Sequence, residues 1–390
     1  MASETKNQAT SRRSTARAKR GGAQSGEVEK QASNGSPIAL PNVVEVKATF
    51  RTYQSQNYDH KELGLSDEQV VEMYRNMLLQ RRFEERAAQM YGKQKIAGFL
   101  HLYIGQEAIS TGTANAMKIG LDSVITAYRD HGIGLALGMT PNECMAELYG
   151  KIDGCSRGKG GSMHYFSAKH NFYGGHGIVG GHIPVGVGLA FAHKYKGDGG
   201  VSMTFFGDGA INQGSFHEAA NLAGLYELPA ILIIENNQYA MGTAVHRASS
   251  QPELYMQAIS YDIPASVVNG MDVFACYKAM KDHIEMAREN QPSLIEMRTY
   301  RYRGHSMSDP QKYRTKEEME AKKNEDPIIR LKAYLIDRKI SSNEDLDRID
   351  DEVKQVVLDS VEFAEQSPFP PIETIYEDVY VQEDYPFLTD

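Results

Sequence analysis

The sequence contains few cysteines, no long apolar run and fewer basic than acidic residues. Its three cysteines, Cys144, Cys155 and Cys276, lie far apart and form no Cys-x-x-Cys pair, so neither a disulfide framework nor a zinc site is indicated. No stretch approaches the roughly 18 consecutive apolar residues of a membrane-spanning helix, so we expect no membrane association. Lysine plus arginine number 42 against 51 for aspartate plus glutamate, and the net charge of −9 argues against nucleic acid as the main partner.

Residues 1–57 differ in composition from the rest of the 390-residue chain. They are rich in Ser, Ala, Gln, Asn and Gly, they contain a cluster of arginines, and they have few apolar residues, a composition typical of a disordered basic tail. The acidic residues Glu4, Glu27 and Glu29 and the lack of an apolar face disfavour a mitochondrial transit peptide. A bacterial tail that docks on a larger assembly is therefore the favoured interpretation, with a transit peptide as the alternative.

The remainder alternates short β-favouring runs with helical segments, which predicts an α/β domain over residues 58–325 with a mostly parallel sheet and helices on both faces. Ser66 and Gln69 form a capping box at its first long helix. Asp326-Pro327 then begins a helical C-terminal extension over residues 326–390, in which Ser341-x-x-Glu344 is expected to cap the second helix.

The segment Val201–Gly242 is predicted to be a strand, a Gly-rich turn, a helix, a second strand and a polar loop. A crossover of this length makes the two strands parallel, so their carboxyl ends lie at one edge of the sheet. Gly207-Asp208-Gly209 follows the first strand, Asn236-Asn237 follows the second, and 26 residues lie between them. If the strands are neighbours, Asp208 and Asn237 lie side by side.

That edge is predicted to bind a metal-chelated diphosphate. One carboxylate, one side-chain amide and nearby loop carbonyls form a hard, all-oxygen pocket that suits magnesium, which normally keeps phosphate oxygens and water among its ligands. Helix N-termini at the same edge favour anions. A single Gly-Asp-Gly is usually only a tight turn, but its pairing with Asn-Asn after the next strand favours the functional interpretation.

Further polar groups are expected at the same edge. Tyr128-Arg129 ends a strand that begins near Ser123, and an arginine there supplies a fixed positive fork for phosphate. Ser293–Tyr302 is predicted to be a strand that ends in the cations Arg301 and Arg303, followed by His305, which can exchange protons near neutral pH. His101, between apolar neighbours, is in a setting more typical of a core histidine.

Two other patterns carry weaker interpretations. Gly175–Gly180 matches Gly-x-Gly-x-x-Gly, with Asp198 near the offset of a ribose-binding acid, but no apolar strand is predicted before it and Asp198 falls in a turn. A nicotinamide-dependent dehydrogenase is therefore a weak alternative. The small-residue run Val185–Ala192 predicts a helix that packs very closely, either in the core or against a partner chain.

The chain from about Ser66 onward resembles the alpha subunits of the pyruvate dehydrogenase decarboxylating component, which are thiamine diphosphate-dependent 2-oxo acid dehydrogenases. The resemblance rests on the following segments: FLHLYIGQEA, AYRDHG, RGKGGSMH, NFYGGHGIVG, GDGAINQG, ENNQYAMGT and RYRGHSMSDPQKYRT. It implies a thiamine diphosphate-binding fold and the decarboxylation of pyruvate with transfer of the acetyl group to lipoyl.

The resemblance also implies roles for individual residues. Asp208, Asn237 and the backbone carbonyl of Tyr239 are expected to hold Mg²⁺. The thiamine diphosphate contacts implied are Tyr128, Arg129, Gly177, Val179, Asp208, Gly209, Ala210, Asn237 and His305. His305 is expected to be catalytic, and His101 to line the substrate pocket with Tyr128 and Arg129 and to take part in catalysis.

A beta subunit is implied as the partner in an alpha-2 beta-2 heterotetramer that works with a lipoyl-bearing acetyltransferase core. A branched-chain 2-oxo acid or acetoin dehydrogenase alpha subunit is the first alternative, and a non-catalytic diphosphate-binding protein is the second. The family's first regulatory serine corresponds to Ser306, whereas Ala244 and Lys312 stand at the other two positions. This pattern mildly favours a bacterial cytoplasmic location over the mitochondrial matrix.

Overall fold

A computed structural model describes residues 49–54, 58–379 and 381. Its strands, in chain order, are β1 (Phe50–Tyr53), β2 (Ser123–Ala127), β3 (Phe172–His176), β4 (Ser202–Gly207), β5 (Ala230–Asn236), β6 (Tyr239–Ala240), β7 (Thr243–Ala244), β8 (Ala265–Asn269) and β9 (Ser293–Arg298). Its α-helices are α1 (Asp67–Gly92), α2 (Glu107–Ala116), α3 (His131–Ala136), α4 (Pro141–Leu148), α5 (Ile183–Lys196), α6 (Gly214–Leu225), α7 (Val245–Ala248), α8 (Val273–Arg288), α9 (Lys316–Lys323), α10 (Pro327–Asp337) and α11 (Asn343–Gln366).

Seven of the described strands form one sheet in the order β1-β8-β9-β5-β4-β2-β3, and every neighbouring pair is parallel. The remaining two, β6 and β7, form a small antiparallel hairpin directly after β5. The predicted parallel α/β architecture is confirmed. β4 and β5, the two strands of the predicted crossover, are neighbours at the centre of the sheet.

Helices cover both faces of the sheet, and the buried side chains of β5 show why. Ile231 and Ile233 belong to the core on the side of α1, α2 and α8, whereas Leu232 and Ile234 belong to a second core beneath α5 and α6. Successive side chains of a strand point to opposite faces, so a strand that is apolar throughout requires cover on both sides. This continuous run of apolar residues places β5 in the middle of the domain.

The predicted disordered tail, residues 1–57, lies outside the described residues except for residues 49–54. Within that part the prediction was wrong, because Phe50–Tyr53 forms β1 and pairs in parallel with β8 at the edge of the sheet. The pairing partner lies more than 200 residues further along the chain, so local composition carries no sign of it. Backbone hydrogen bonding to an existing edge orders even a short polar segment.

Two other expectations near strands are corrected. β9 ends at Arg298 instead of Tyr302: the Thr299 N–H makes the last bond to β5, at the Asn236 carbonyl, and the Tyr302 N–H donates to the Ile104 carbonyl outside the sheet. The first two residues of the Gly-x-Gly-x-x-Gly segment, Gly175 and His176, are the last two of β3. Asp198, however, bonds with His193 in the turn before β4, at the opposite end of that strand from Asp208.

The C-terminal helices pack on the α/β unit instead of standing apart. Leu331 and Leu335 of α10 and Ile349 and Val353 of α11 belong to the same buried cluster as α1 and the sheet. Asp326 caps α10 as predicted, but the capping box of α11 pairs Ser342 with Asp345, one residue later than expected. The predicted domain boundary at residue 326 stays a prediction.

Among the described residues, no helix has the length and apolar content needed to cross a bilayer.

Helix α5 packs closely on the sheet through a glycine. A β-carbon on Gly186 would collide with the Thr204 side chain and would lie 2.9 Å from the Ile125 Cγ2 atom. Gly188, on the outer face of the same helix, has no atom within 4 Å of that position. The outer face also exposes Val185, Phe191 and Tyr195.

These two glycines make a matched pair for a test of the packing. Gly186→Ala should lower the free energy of unfolding by about 1–3 kcal/mol, because the helix must move away from β4. Gly188→Ala should raise it by about 0.5–1 kcal/mol, because alanine is the better helix former in open space. Denaturant unfolding of the full chain measures both. Equal effects of the two substitutions would contradict close packing of α5 on the sheet.

Candidate functional site

A cavity of about 870 Å³ opens at the carboxyl edge of the central strands. It collects the segments that follow β2, β4, β5 and β9, as expected for an open parallel sheet. It is lined by Phe99, His101, Ala127, Tyr128, Met163, Gly177, Val179, Gly180, Gly207, Asp208, Gly209, Ala210, Gln213, Asn237, Tyr239, Ala240, Met241, Gly242, Arg301, His305, Ser306, Ser308, Asp309, Pro310 and Tyr313. Of the residues predicted at this edge, Arg129 and Arg303 are absent from this set.

Asp208 and Asn237 are brought together by the register of β4 and β5. Gly207, the last residue of β4, pairs with Glu235, so Asp208 leaves the sheet beside the end of β5, which Asn237 follows. Asp208 is only 4% exposed, and burial raises the pKa of its carboxyl to about 6, against the attraction of Arg301 and of backbone N–H groups. A buried carboxylate of this kind gains most from a nearby cation.

The guanidinium of Arg301 lies against the other two predicted metal ligands. Its Nη1 atom is 2.8 Å from the Tyr239 carbonyl oxygen and 3.2 Å from Asn237 Oδ1. Its Nη2 atom donates to the Met241 carbonyl at 3.0 Å and to the Tyr313 hydroxyl at 3.0 Å. Each of these oxygens has two lone pairs, so one remains available beside the hydrogen bond from Arg301.

The described residues contain no group of three or more His, Cys, Asp or Glu side chains arranged to hold a metal. The predicted set differs from such a group because it has one carboxylate, one amide and one carbonyl. Magnesium accepts this set when phosphate and water supply its remaining ligands.

Three aromatic rings form one wall of the cavity. The ring centroids of His101 and Tyr128 are 4.7 Å apart, those of His101 and His305 are 5.2 Å apart, and those of Tyr128 and His305 are 5.5 Å apart. Among the described residues, His101 Nδ1 and His305 Nδ1 have no hydrogen-bond partner although both atoms are buried. Buried polar atoms without a protein partner normally form hydrogen bonds with a ligand or with water.

Burial, aided by the neighbouring arginines, lowers the pKa of the His305 imidazole to about 4 and that of His101 to about 2. After burial, the positive charge of Arg129 has the largest effect on the pKa of both rings. The charge of Arg301 follows for His305 and has a smaller effect on His101. Both imidazoles are therefore neutral near pH 7. A neutral imidazole can accept a proton as well as donate a hydrogen bond.

Arg129 lies behind the cavity instead of on its wall. Its guanidinium donates to the Leu102 carbonyl at 2.6 Å and to the His305 carbonyl at 2.8 Å, and only 5% of the residue is exposed. It therefore holds together the two loops that carry His101 and His305. Its direct contact with a diphosphate stays a prediction.

One residue predicted at the site lies outside it, and two buried residues connected to the site were not predicted. Arg303, expected as a second cation at this edge, is exposed, and it does not line the cavity. Gln106 and Glu235 were missed, yet both are buried and connect to Asn237. They are members of the quoted segments YIGQEA and ENNQY, where their polarity inside otherwise apolar surroundings was the available signal.

Comparison with known proteins places these features in a family. Residues 75–373 match the model of the family described as "Dehydrogenase E1 component". A protein of Rhizobium meliloti is 51% identical over 316 residues, which cover 80% of this chain and 90% of the relative. One of Zymomonas mobilis is 50% identical, covering 80% and 89%, and one of Porphyra purpurea is 45% identical, covering 80% and 92%. Each relative is named "Pyruvate dehydrogenase E1 component subunit alpha".

The lowered pKa values of the two histidines can be tested directly. Both imidazoles should stay neutral down to about pH 5, and His305 should titrate near 4. Because protonation is disfavoured in the fold, these groups reduce stability as the pH falls from the ordinary histidine value through 4. Nitrogen NMR of histidine-labelled protein measures the midpoints, with His305→Gln and His101→Gln to assign the signals. A midpoint at the ordinary value or above would contradict the burial argument.

Proposed function

Because this chain belongs to the dehydrogenase E1 component family, we propose that it is the alpha subunit of an acetyl-transferring pyruvate dehydrogenase. The reaction is the oxidative decarboxylation of pyruvate, with reductive acetylation of lipoyl groups on an acyltransferase core. The observation that carries the proposal is the convergence of Asp208, Asn237, Tyr239 and His305 on one cavity of a chain about half identical to subunits of that name.

The cavity fits thiamine diphosphate with a magnesium ion. Asp208, the Asn237 amide oxygen and the Tyr239 carbonyl would hold the metal, and the two oxygens that accept from Arg301 each keep a second lone pair for it. Glycine at position 209 allows the turn after β4 to lie close to the β6–β7 hairpin, because a β-carbon there would be 2.6 Å from the Ala240 Cβ atom. Ala210, Gly177, Val179 and Tyr128 line the same space for the rest of the cofactor.

The bound cofactor would supply the nucleophilic carbon that adds to the 2-oxo group and would hold the electron pair left when carbon dioxide departs. The chain's own contribution is proton handling and positioning. His305 Nδ1 is unpaired in a neutral ring beside the cavity, so it can accept a proton from, or donate one to, the lipoyl thiol and the substrate oxygen. His101, in edge contact with His305, narrows the cavity where a small 2-oxo acid would bind.

A beta subunit completes the site in this proposal. The described chain contains one diphosphate-binding unit, and the resemblance assigns the activating glutamate to the partner. We therefore expect an alpha-2 beta-2 heterotetramer bound to the lipoyl-bearing core, and a lone chain without activity. Bacterial relatives support a bacterial cytoplasmic location over a mitochondrial matrix.

The substrate assignment is tested with the assembled enzyme. The alpha chain co-purified with its beta subunit should decarboxylate pyruvate much faster than 2-oxoisovalerate or acetoin, whereas the lone alpha chain should turn over none of them. The measurement is release of carbon dioxide from the two 2-oxo acids and consumption of acetoin. A preference for 2-oxoisovalerate or acetoin would move the chain to the first alternative, and full activity of the lone chain would exclude a shared site.

The metal assignment has a matched control within the chain, because a second Gly-Asp-Gly precedes β4. Asp208→Asn should weaken magnesium-dependent binding of thiamine diphosphate by at least about 100-fold, since outer-shell changes alone cost about 10- to 100-fold. Asp198→Asn makes the same change in the turn Gly197-Asp198-Gly199, whose carboxylate bonds with His193, and should leave binding unchanged. Titration calorimetry measures both, and an unchanged affinity of the Asp208 variant would remove it from the metal site.

A further inference from the structure

The side chain of Asn237 is held from both ends. Its Nδ2 atom donates to Gln106 Oε1 at 2.8 Å, and its Oδ1 atom accepts from Arg301 Nη1 at 3.2 Å. Gln106 in turn donates from Nε2 to Glu235 Oε1 at 3.3 Å. These residues come from the segment before α2, from the end of β5 and from the loop after β9, and all four are less than 9% exposed.

The direction of every hydrogen bond in this chain of side chains follows from its two ends. A guanidinium can only donate, so Asn237 must present its oxygen to Arg301 and its N–H to Gln106. Gln106 must then present its oxygen to Asn237 and its own N–H to Glu235, whose carboxylate accepts it. Reversing either amide would leave two donors or two acceptors facing each other in a buried site, which is costly.

The side chain of Gln106 bonds to Asn237 and Glu235 and does not cap the helix that it begins. It is the N-cap residue of α2, yet its side chain makes no capping hydrogen bond, whereas Ser66 and Thr140 cap their helices with their side chains. The Glu235 atom that accepts from Gln106 also accepts from the Tyr103 hydroxyl at 2.5 Å, so the acceptor end of the link is itself fixed. The whole residue Gln106 is buried.

The adjacent asparagine shows what the link achieves. Asn236 points away from the cavity, and its Nδ2 atom donates to Glu296 at 2.8 Å. Two successive asparagines are thus held on opposite sides of the strand end by different carboxylate networks. Of the two asparagines, Asn237 lines the cavity together with Asp208, and Asn236 does not.

We propose that Gln106, anchored by Glu235, is a positioning residue that fixes the Asn237 amide with its oxygen toward the metal position. The proposal rests on the proposed function, since it concerns the magnesium site of that reaction. Outer-shell hydrogen bonds of this type orient metal ligands, and their loss typically weakens metal binding by about 10- to 100-fold.

The test measures the magnesium concentration needed for half-maximal binding of thiamine diphosphate to the full chain assembled with its beta subunit. Gln106→Met, of similar size, should raise that concentration about 10- to 100-fold. Gln106→Asn, which keeps the amide but lacks the reach to both partners, should raise it as well and serves if the methionine variant does not fold.

Gln80→Met is the matched control. Gln80 is also a fully buried glutamine at the α1–α2 contact, and it bonds with Asn76, Thr111 and Ser110 without touching the cavity. This variant should lower the melting temperature but leave the magnesium requirement unchanged. An unchanged requirement in both Gln106 variants, or an equal rise in Gln80→Met, would overturn the positioning role. Failure of the wild-type assembly to bind the cofactor with magnesium would instead overturn the proposed function.

Discussion

The parallel pairing of β4 with β5 is the constraint on which the rest of the site depends. It sets Gly207 opposite Glu235, so that one strand delivers a carboxylate and the other an amide to the same edge at the same height. A register slip of one residue would turn every side chain of β5 to the opposite face and carry Asn237 away from the cavity. The two apolar cores prevent such a slip, because Ile231 and Ile233 require one face while Leu232 and Ile234 require the other.

Two buried arginines determine the electrostatics of the cavity. Arg129 and Arg301 reinforce the effect of burial in keeping His101 and His305 neutral, and Arg301 also opposes the rise of the Asp208 pKa. Burial and the charge of Arg301 lower the pKa of Arg129 to about 10, so it still carries its charge near neutral pH. Positive charge held beside the two histidines, by Arg301 on the wall and Arg129 behind it, favours an anionic group at that end of the cavity, which agrees with a diphosphate and a carboxylic acid substrate.

The parts of this arrangement that could be predicted are those that depend on local sequence patterns. Asp208 and Asn237 follow strands that can be recognised by their apolar runs, and a crossover between them must be parallel. The relation of Gln106 to Glu235 was not predictable, because 129 residues separate them and only the strand order brings them together. The pairing of Phe50–Tyr53 with β8 escaped prediction for the same reason, and Arg303 was misjudged because β9 ends four residues earlier than its pattern suggests.

The position of His305 is coupled through Arg301 to the residues proposed as metal ligands. The Asp309 carboxylate accepts hydrogen bonds from the backbone N–H of His305 at 2.6 Å and from the Tyr313 hydroxyl at 2.7 Å. That hydroxyl also accepts a hydrogen bond from Arg301. Arg301 in turn contacts the Tyr239 carbonyl. The loop after β9 therefore cannot shift without disturbing the oxygens of the proposed metal site. Because each link is a directional hydrogen bond, His305 and the proposed metal ligands form as one unit, so a change at either end is expected to alter the other.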